Sequence, residues 1–245
     1  MNFQKEHLDL VLVPCGLMIM MAYHLILLYR CLHLPHTTTP GFENNDKRAW
    51  VERIMQATLS LSPLIFCCDL IPTQAHNNDV DSTALAVIAS NTSAATFLAS
   101  VCLTLGTLIG AWLGNSSKSV FQSKLIFGDT SESTIFIKYI TLLACFFLAF
   151  SCFVQSTRHF VHANYLISMP DSHIPVKNAE KAVIRGSDCW SLGLRALYFA
   201  LNLLLWFFGP IPMFVSSVIM VIILYCLDTN WTPLHEHRPL GNKVV

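Results

Sequence analysis

The feature that most constrains this chain is a set of long windows without a single Asp, Glu, Lys or Arg. They run from Leu10 to Tyr29, from Ser82 to Ser117, from Tyr139 to Thr157 and from Ala196 to Leu227. Crossing about 30 Å of hydrocarbon takes about 20 apolar residues, and only helices or closed barrels satisfy their own backbone there. The rest of the chain agrees, with 53% hydrophobic and only 12% charged residues, against roughly 25% charged in soluble domains. These windows predict an all-α integral membrane protein, one multi-pass domain over residues 1–245. About four transmembrane helices are expected, near residues 8–31, 84–113, 138–158 and 196–227. The first apolar core is too long for a cleaved leader and is taken as a retained span.

The fourth window exceeds one span and is interrupted by Gly209-Pro210-Ile211-Pro212. Each proline lacks an N–H and crowds the carbonyl four residues earlier, so the helix must kink or break there. Two readings follow: one bent span, which is favoured, or a re-entrant hairpin of two short half-helices. With four spans, the loops after the first and third carry Arg30, Lys47, Arg48, Arg53, Arg158, Lys177, Lys181, Arg185 and Arg195. The other side carries Lys5, Lys118, Lys124, Lys138, Arg238 and Lys243. Nine against six puts both termini on the non-cytoplasmic side of a plasma or internal membrane. The sequons at Asn115 and Asn230 fall on that same side.

Between the first two spans, Pro35 to Asp46 reads as turn chemistry and Lys47 to Arg53 as a surface helix with Trp50 at headgroup depth. Ala57 to Pro72 is apolar but too short to cross, and suits an interfacial segment. The third helix is expected to continue past Arg158 until Pro170 stops it.

Candidate chemistry is sparse. His24 lies inside the first span, where an imidazole normally faces protein or water; a haem or metal role would need a second ligand at matching depth, and His159 and His162 do not supply it. Ser90, Asn91 and Thr92 make the start of the second span polar, as a solute pathway would require. Cys102, Gly106, Gly110 and Gly114 recur at every fourth residue, with Ala86, Ser90 and Ala94 on the same stripe, offering a groove for close helix packing. Arg158 and His162, one turn apart, suit a lipid phosphate or an anionic solute. The spacings of His33/His36 and His235/His237 lack further metal ligands, and the cysteines inside the apolar windows read as packing residues. No nucleophile elbow, zinc helix, phosphate loop or dinucleotide fingerprint is present, so neither enzymatic activity nor a cofactor is expected.

The zero net charge gives no footprint for nucleic acid. The expected partners are the bilayer and other membrane proteins, a second copy included. A solute-pathway component and a membrane adaptor remain open as functions, with a haem- or metal-binding protein as a third.

Several segments, in order, carry a family resemblance: Leu8-Asp9-Leu10-Val11-Leu12-Val13-Pro14-Cys15-Gly16-Leu17, Tyr23-His24, Trp50-Val51-Glu52, Ser90 to Thr96, and Gly209-Pro210-Ile211-Pro212-Met213-Phe214. In these the chain resembles the plant membrane family catalogued as domain of unknown function 599. The resemblance implies a multi-pass membrane protein and no assigned activity. Against that pattern, Ala57 to about His76 looks like an insert.

Overall fold

A computed structural model describes residues 3–61, 71–114, 131–169 and 175–230. The two sequons, Cys67-Cys68, the His235/His237 pair, and the middle of the 57–76 stretch fall wholly or partly outside the described residues.

Six α-helices make up the described chain: α1 (Phe3–His33), α2 (Thr39–Leu61), α3 (Ile71–Gly114), α4 (Glu132–Ile167), α5 (Val176–Leu205) and α6 (Pro210–Asp228). Short 3-10 turns at Pro35–Thr37 and Trp206–Phe208 join α1 to α2 and α5 to α6. Local chemistry sets several of these boundaries. Ser131 caps α4 by accepting the Thr134 N–H at 3.3 Å, with Glu132 in the first turn against the helix dipole. Thr39 to Asp46, expected as turn, is the start of α2. Helix is feasible there because Gly41 has no Cβ to collide with the Pro35 carbonyl.

Five helices are long and apolar enough to cross a membrane: Asp9–His33, Ser82–Trp112, Glu132–Ile167, Val176–Phe208 and Pro210–Asp228. Their outer faces carry large apolar side chains such as Leu10, Met18, Leu192 and Ile222, all more than half exposed, which water would not tolerate over so large an area.

The count of about four spans is therefore corrected to five spanning-length helices, and the bent fourth span to a helical hairpin. The two arms face each other across Gly209. Ser216 Oγ donates to Asn202 Oδ1 at 2.9 Å, and Arg195 forks onto Asp228 at 2.9 and 3.1 Å. In a single helix Arg195 and Asp228 would lie about 50 Å apart. The half-helix alternative fails too, because α5 has 30 residues and α6 has 19, or about 45 Å and 28 Å at 1.5 Å per residue. Its charges hid α5: Lys177, Glu180, Lys181, Arg185, Asp188 and Arg195 interrupt any uncharged window, yet the helix is amphipathic and buries its other face.

That buried face is where α5 meets α4. Gly186 and Gly193, two turns apart, sit beneath the rings of Phe160 and Phe153, so close that a Cβ would come within 2.9 Å and 2.8 Å of ring carbons. Ser156 Oγ adds a 2.7 Å bond to the Gly186 carbonyl. Successive neighbours in space are α3, α4, α5, α6 and α1, while α2 rests on α5 and touches α3.

Two hydrophobic cores result. One contains Val13, Ala99, Cys102, Leu142, Phe153, Ala200 and Met213, from all five long helices. The other is built by α2 with the ends of α3, α4 and α5, through Val51, Ile54, Ile88, Phe160, Ala163 and Val183. The second core forms a head at one end of the bundle. The α5–α6 turn marks the opposite end, where α1 begins and Asp9 lies beside Trp206. Because α6 finishes at the head end, with Thr38 bridged to Thr229, the described chain enters at one end and leaves at the other.

Candidate functional site

A cavity of about 750 Å³ lies where the two cores meet, a size usual for small-molecule sites, about 300–1,000 Å³. Its floor is α5. Val183, Ser187, Ser191, Leu194 and Tyr198 line it at spacings of three and four residues, with Trp190 beside them, one continuous helix face about 22 Å long. Val87, Asn91 and Ala94 of α3 form one wall, and Leu224, Leu227 and Asp228 of α6 another. The first three turns of α2 cover it with Glu43, Asn44, Lys47 and Trp50.

Polar pairs hold this lining in place. Lys47 Nζ donates to Glu43 Oε2 at 3.0 Å, one turn back on α2, and to Ser187 Oγ of α5 at 2.6 Å. Asn44 Nδ2 donates to Asp188 Oδ1 at 3.1 Å. On the inner side, the Arg195–Asp228 pair is 17% and 13% exposed and is joined by the Tyr23 hydroxyl, which donates to Asp228 Oδ2 at 2.7 Å. One carboxylate therefore staples α1, α5 and α6. Thr39 Oγ1 donates to the Leu227 carbonyl at 2.9 Å and Arg30 to the Thr37 carbonyl at 2.9 Å, tying the start of α2 to the ends of α6 and α1.

Of the residues singled out by sequence, Asn91 lines the cavity. Ser90 is exposed, and Thr92 turns its hydroxyl back to the Ile88 carbonyl at 2.8 Å. His24 lies behind the cavity. Its Nδ1–H faces the Met20 carbonyl at 2.7 Å, its ring packs edge-on to Tyr23 and 5.0 Å from Phe199, and its buried Nε2 has no hydrogen-bond partner. Among the described residues, no three His, Cys, Asp or Glu side chains converge as metal ligands. Arg158 and His162 are exposed on α4, away from the cavity, sharing their surroundings with His159 and Arg185.

The glycine stripe divides. A Cβ on Gly106 would touch Leu143 and Phe146 at ordinary distances, whereas at Gly110 and Gly114 nothing lies within 4 Å. The buried seam of α3 is Ala84, Ile88, Ala95, Ala99, Cys102 and Gly106; Ala86, Ser90 and Ala94 are exposed. A strict four-residue repeat advances about 40° per step on an ideal helix, so it cannot keep facing one neighbour.

Gly209 has φ 137° and ψ 169°, a backbone region essentially closed to residues with a Cβ. Pro210 and Pro212 follow in the first turn of α6, where a missing N–H costs nothing.

Several buried polar groups escape a search for uncharged windows. At the turn end Asp9 is 7% exposed and accepts from Trp206 Nε1 at 3.3 Å, and Lys138 is 4% exposed with its ammonium 5.1 Å from the Trp206 ring centre. Asp9, Lys138 and Asp228 each lie just outside an uncharged window, so a search for such windows passes over them. Asn202 was the available signal, an amide near the start of the fourth window and 1% exposed.

Five spanning-length helices, a lipid-type exterior and the largely buried Arg195–Asp228 pair give the chain the build of a multi-pass helical membrane protein. The family model described as "Protein of unknown function, DUF599" matches residues 11–63 and 73–232, and the chain belongs to that family. The interval between the matched segments falls within the 57–76 stretch. No curated protein and no solved structure matches.

Proposed function

We propose that this protein is a solute-pathway component whose binding vestibule is the cavity under α2. The supporting observation is the lining: Ser187, Asp188, Ser191 and Arg195 of α5, Asn44 and Lys47 of α2 and Asn91 of α3 place polar groups around one cavity, whose α5 floor runs for about 22 Å. A purely structural seam would be filled with side chains instead of leaving about 750 Å³ open.

The head end is read as cytoplasmic. Of the Lys and Arg among the described residues, Arg30, Lys47, Arg48, Arg53, Arg158, Lys177, Lys181, Arg185 and Arg195 belong to that end, against Lys5 and Lys138 at the other. This asymmetry is the one the positive-inside rule follows, and with it the vestibule opens toward the cytoplasm.

Ser191, half-buried on the cavity floor, supplies the test. Proteoliposomes holding the wild-type protein are offered a mixture of labelled amines, sugars and carboxylates, with the Ser191→Trp variant alongside. Flux of at least one class in the wild type, lost in the variant, is the expected result. Equal flux in wild type, variant and protein-free vesicles would refute the proposal in favour of an adaptor, a role that the exposed Arg48, Lys177, Lys181 and Arg185 of the head would serve.

A further inference from the structure

We infer that the cavity selects solutes bearing an ammonium group; the inference rests on its being a solute site. The charge of the lining carries it. Four carboxylates, Glu43, Asp46, Asp188 and Asp228, face two cations, Lys47 and Arg195. Both cations have carboxylates of their own within 3.0 Å: Lys47 holds Glu43, and Arg195 holds Asp228 through both nitrogens. The lining keeps a formal excess of two negative charges. Asp188, also in the lining, accepts from the neutral Asn44 amide at 3.1 Å, a bond that does not cancel its charge. An anion entering here would meet like charge and no cation in need of a partner, whereas an ammonium gains on both counts.

The aromatic lining points the same way. Trp50 of α2, Trp190 and Tyr198 of α5 and Phe160 of α4 all contribute to the cavity surface. Aromatic faces attract cations, Trp most strongly, and they favour weakly hydrated alkylammonium groups over compact metal ions. Carboxylate and indole from different helices around one space form a recognition set for an amine with an apolar body. Trp190 is itself held by an edge-on contact with Phe153, ring centres 5.5 Å apart, so this element of the wall is pre-organised.

The test uses purified full-length protein and matched probes: choline, its uncharged carbon isostere 3,3-dimethylbutan-1-ol, butane-1,4-diamine and acetate. Binding is followed by calorimetry and by tryptophan fluorescence, since Trp50 and Trp190 line the site. At least one ammonium probe should bind saturably, with the isostere and acetate at least about tenfold weaker. Asp188→Asn should weaken that binding about five- to tenfold and Asp188→Glu less than about twofold, which separates charge from folding. Ser191→Trp should abolish it.

Failure to bind either ammonium probe, in protein that elutes as a single folded species, would overturn the inference. Tighter binding of the isostere or acetate, lost in Ser191→Trp, would also overturn it while leaving the cavity as a solute site. Ammonium binding that survives Ser191→Trp would place the ligand elsewhere and defeat the cavity reading along with it.

Discussion

Replacing Asp228 by Asn removes one charge, keeps the side chain's size and tests the hairpin at its far end. Asp228 accepts two hydrogen bonds from Arg195, at 2.9 and 3.1 Å, and one from Tyr23 at 2.7 Å. The amide retains an acceptor oxygen but leaves a guanidinium only 17% exposed at its side chain without a counter-charge. Breaking a buried pair by neutralising one partner costs about 3–5 kcal/mol. With the acceptor partly kept, we expect a loss near the lower end, about 3 kcal/mol. Tyr23→Phe removes one hydrogen bond to a charged group and should cost about 1.5–2 kcal/mol. The double variant Arg195→Met/Asp228→Leu removes both charges together and should recover most of the loss, because apolar replacement of an intact buried pair is often neutral. Reversible unfolding in mixed micelles with rising SDS, followed by tryptophan fluorescence, gives the stabilities. If the losses of Arg195→Met and Asp228→Leu, each made singly, add in the double variant, the side chains are not in contact. The fold-back of α6 on α5 would then be wrong.

Three further outcomes follow from the packing. Gly209→Ala should lose about 1–3 kcal/mol in the same unfolding assay, since its φ of 137° strains any residue with a Cβ; a neutral result would mean that the α5–α6 turn takes another form. Gly193→Leu must displace the fully buried Phe153 ring and should cost about 1–3 kcal/mol, while Gly110→Leu, with open space around it, should stay within about 0.5 kcal/mol in the monomer. A large loss at Gly110 that depends on protein concentration would reveal a contact between copies. Finally, single-cysteine or epitope tags at the two termini should react from opposite sides of sealed vesicles, and same-side labelling would restore an even number of crossings.

Some of this was legible residue by residue. Uncharged windows long enough to span are dictated by the bilayer, so sequence alone set the all-helical class and located α1, the apolar parts of α3 and α4, and the break at Gly209-Pro210. Asn91 was marked as a polar exception and does line the cavity. A chain that must bury its backbone and expose alkyl side chains to lipid has few alternatives, which is why composition reaches that far.

The fifth helix and the cavity required tertiary contacts. Helix α5 carries six charged residues from Lys177 to Arg195, and a one-dimensional scan counts each as a cost. In three dimensions Arg195 is neutralised by Asp228, thirty-three residues further on, and Gly186 and Gly193 let the opposite face lock onto α4. A charge penalises a membrane helix only until a partner meets it. The same distance effect decided the site: Lys47 and Ser187, Asn44 and Asp188, and Tyr23 and Asp228 are at least 140 residues apart in sequence and within 3.1 Å in space. Sequence fixes which groups the chain owns, but the partner that makes each burial affordable, and the space left between them, come from how the helices pack.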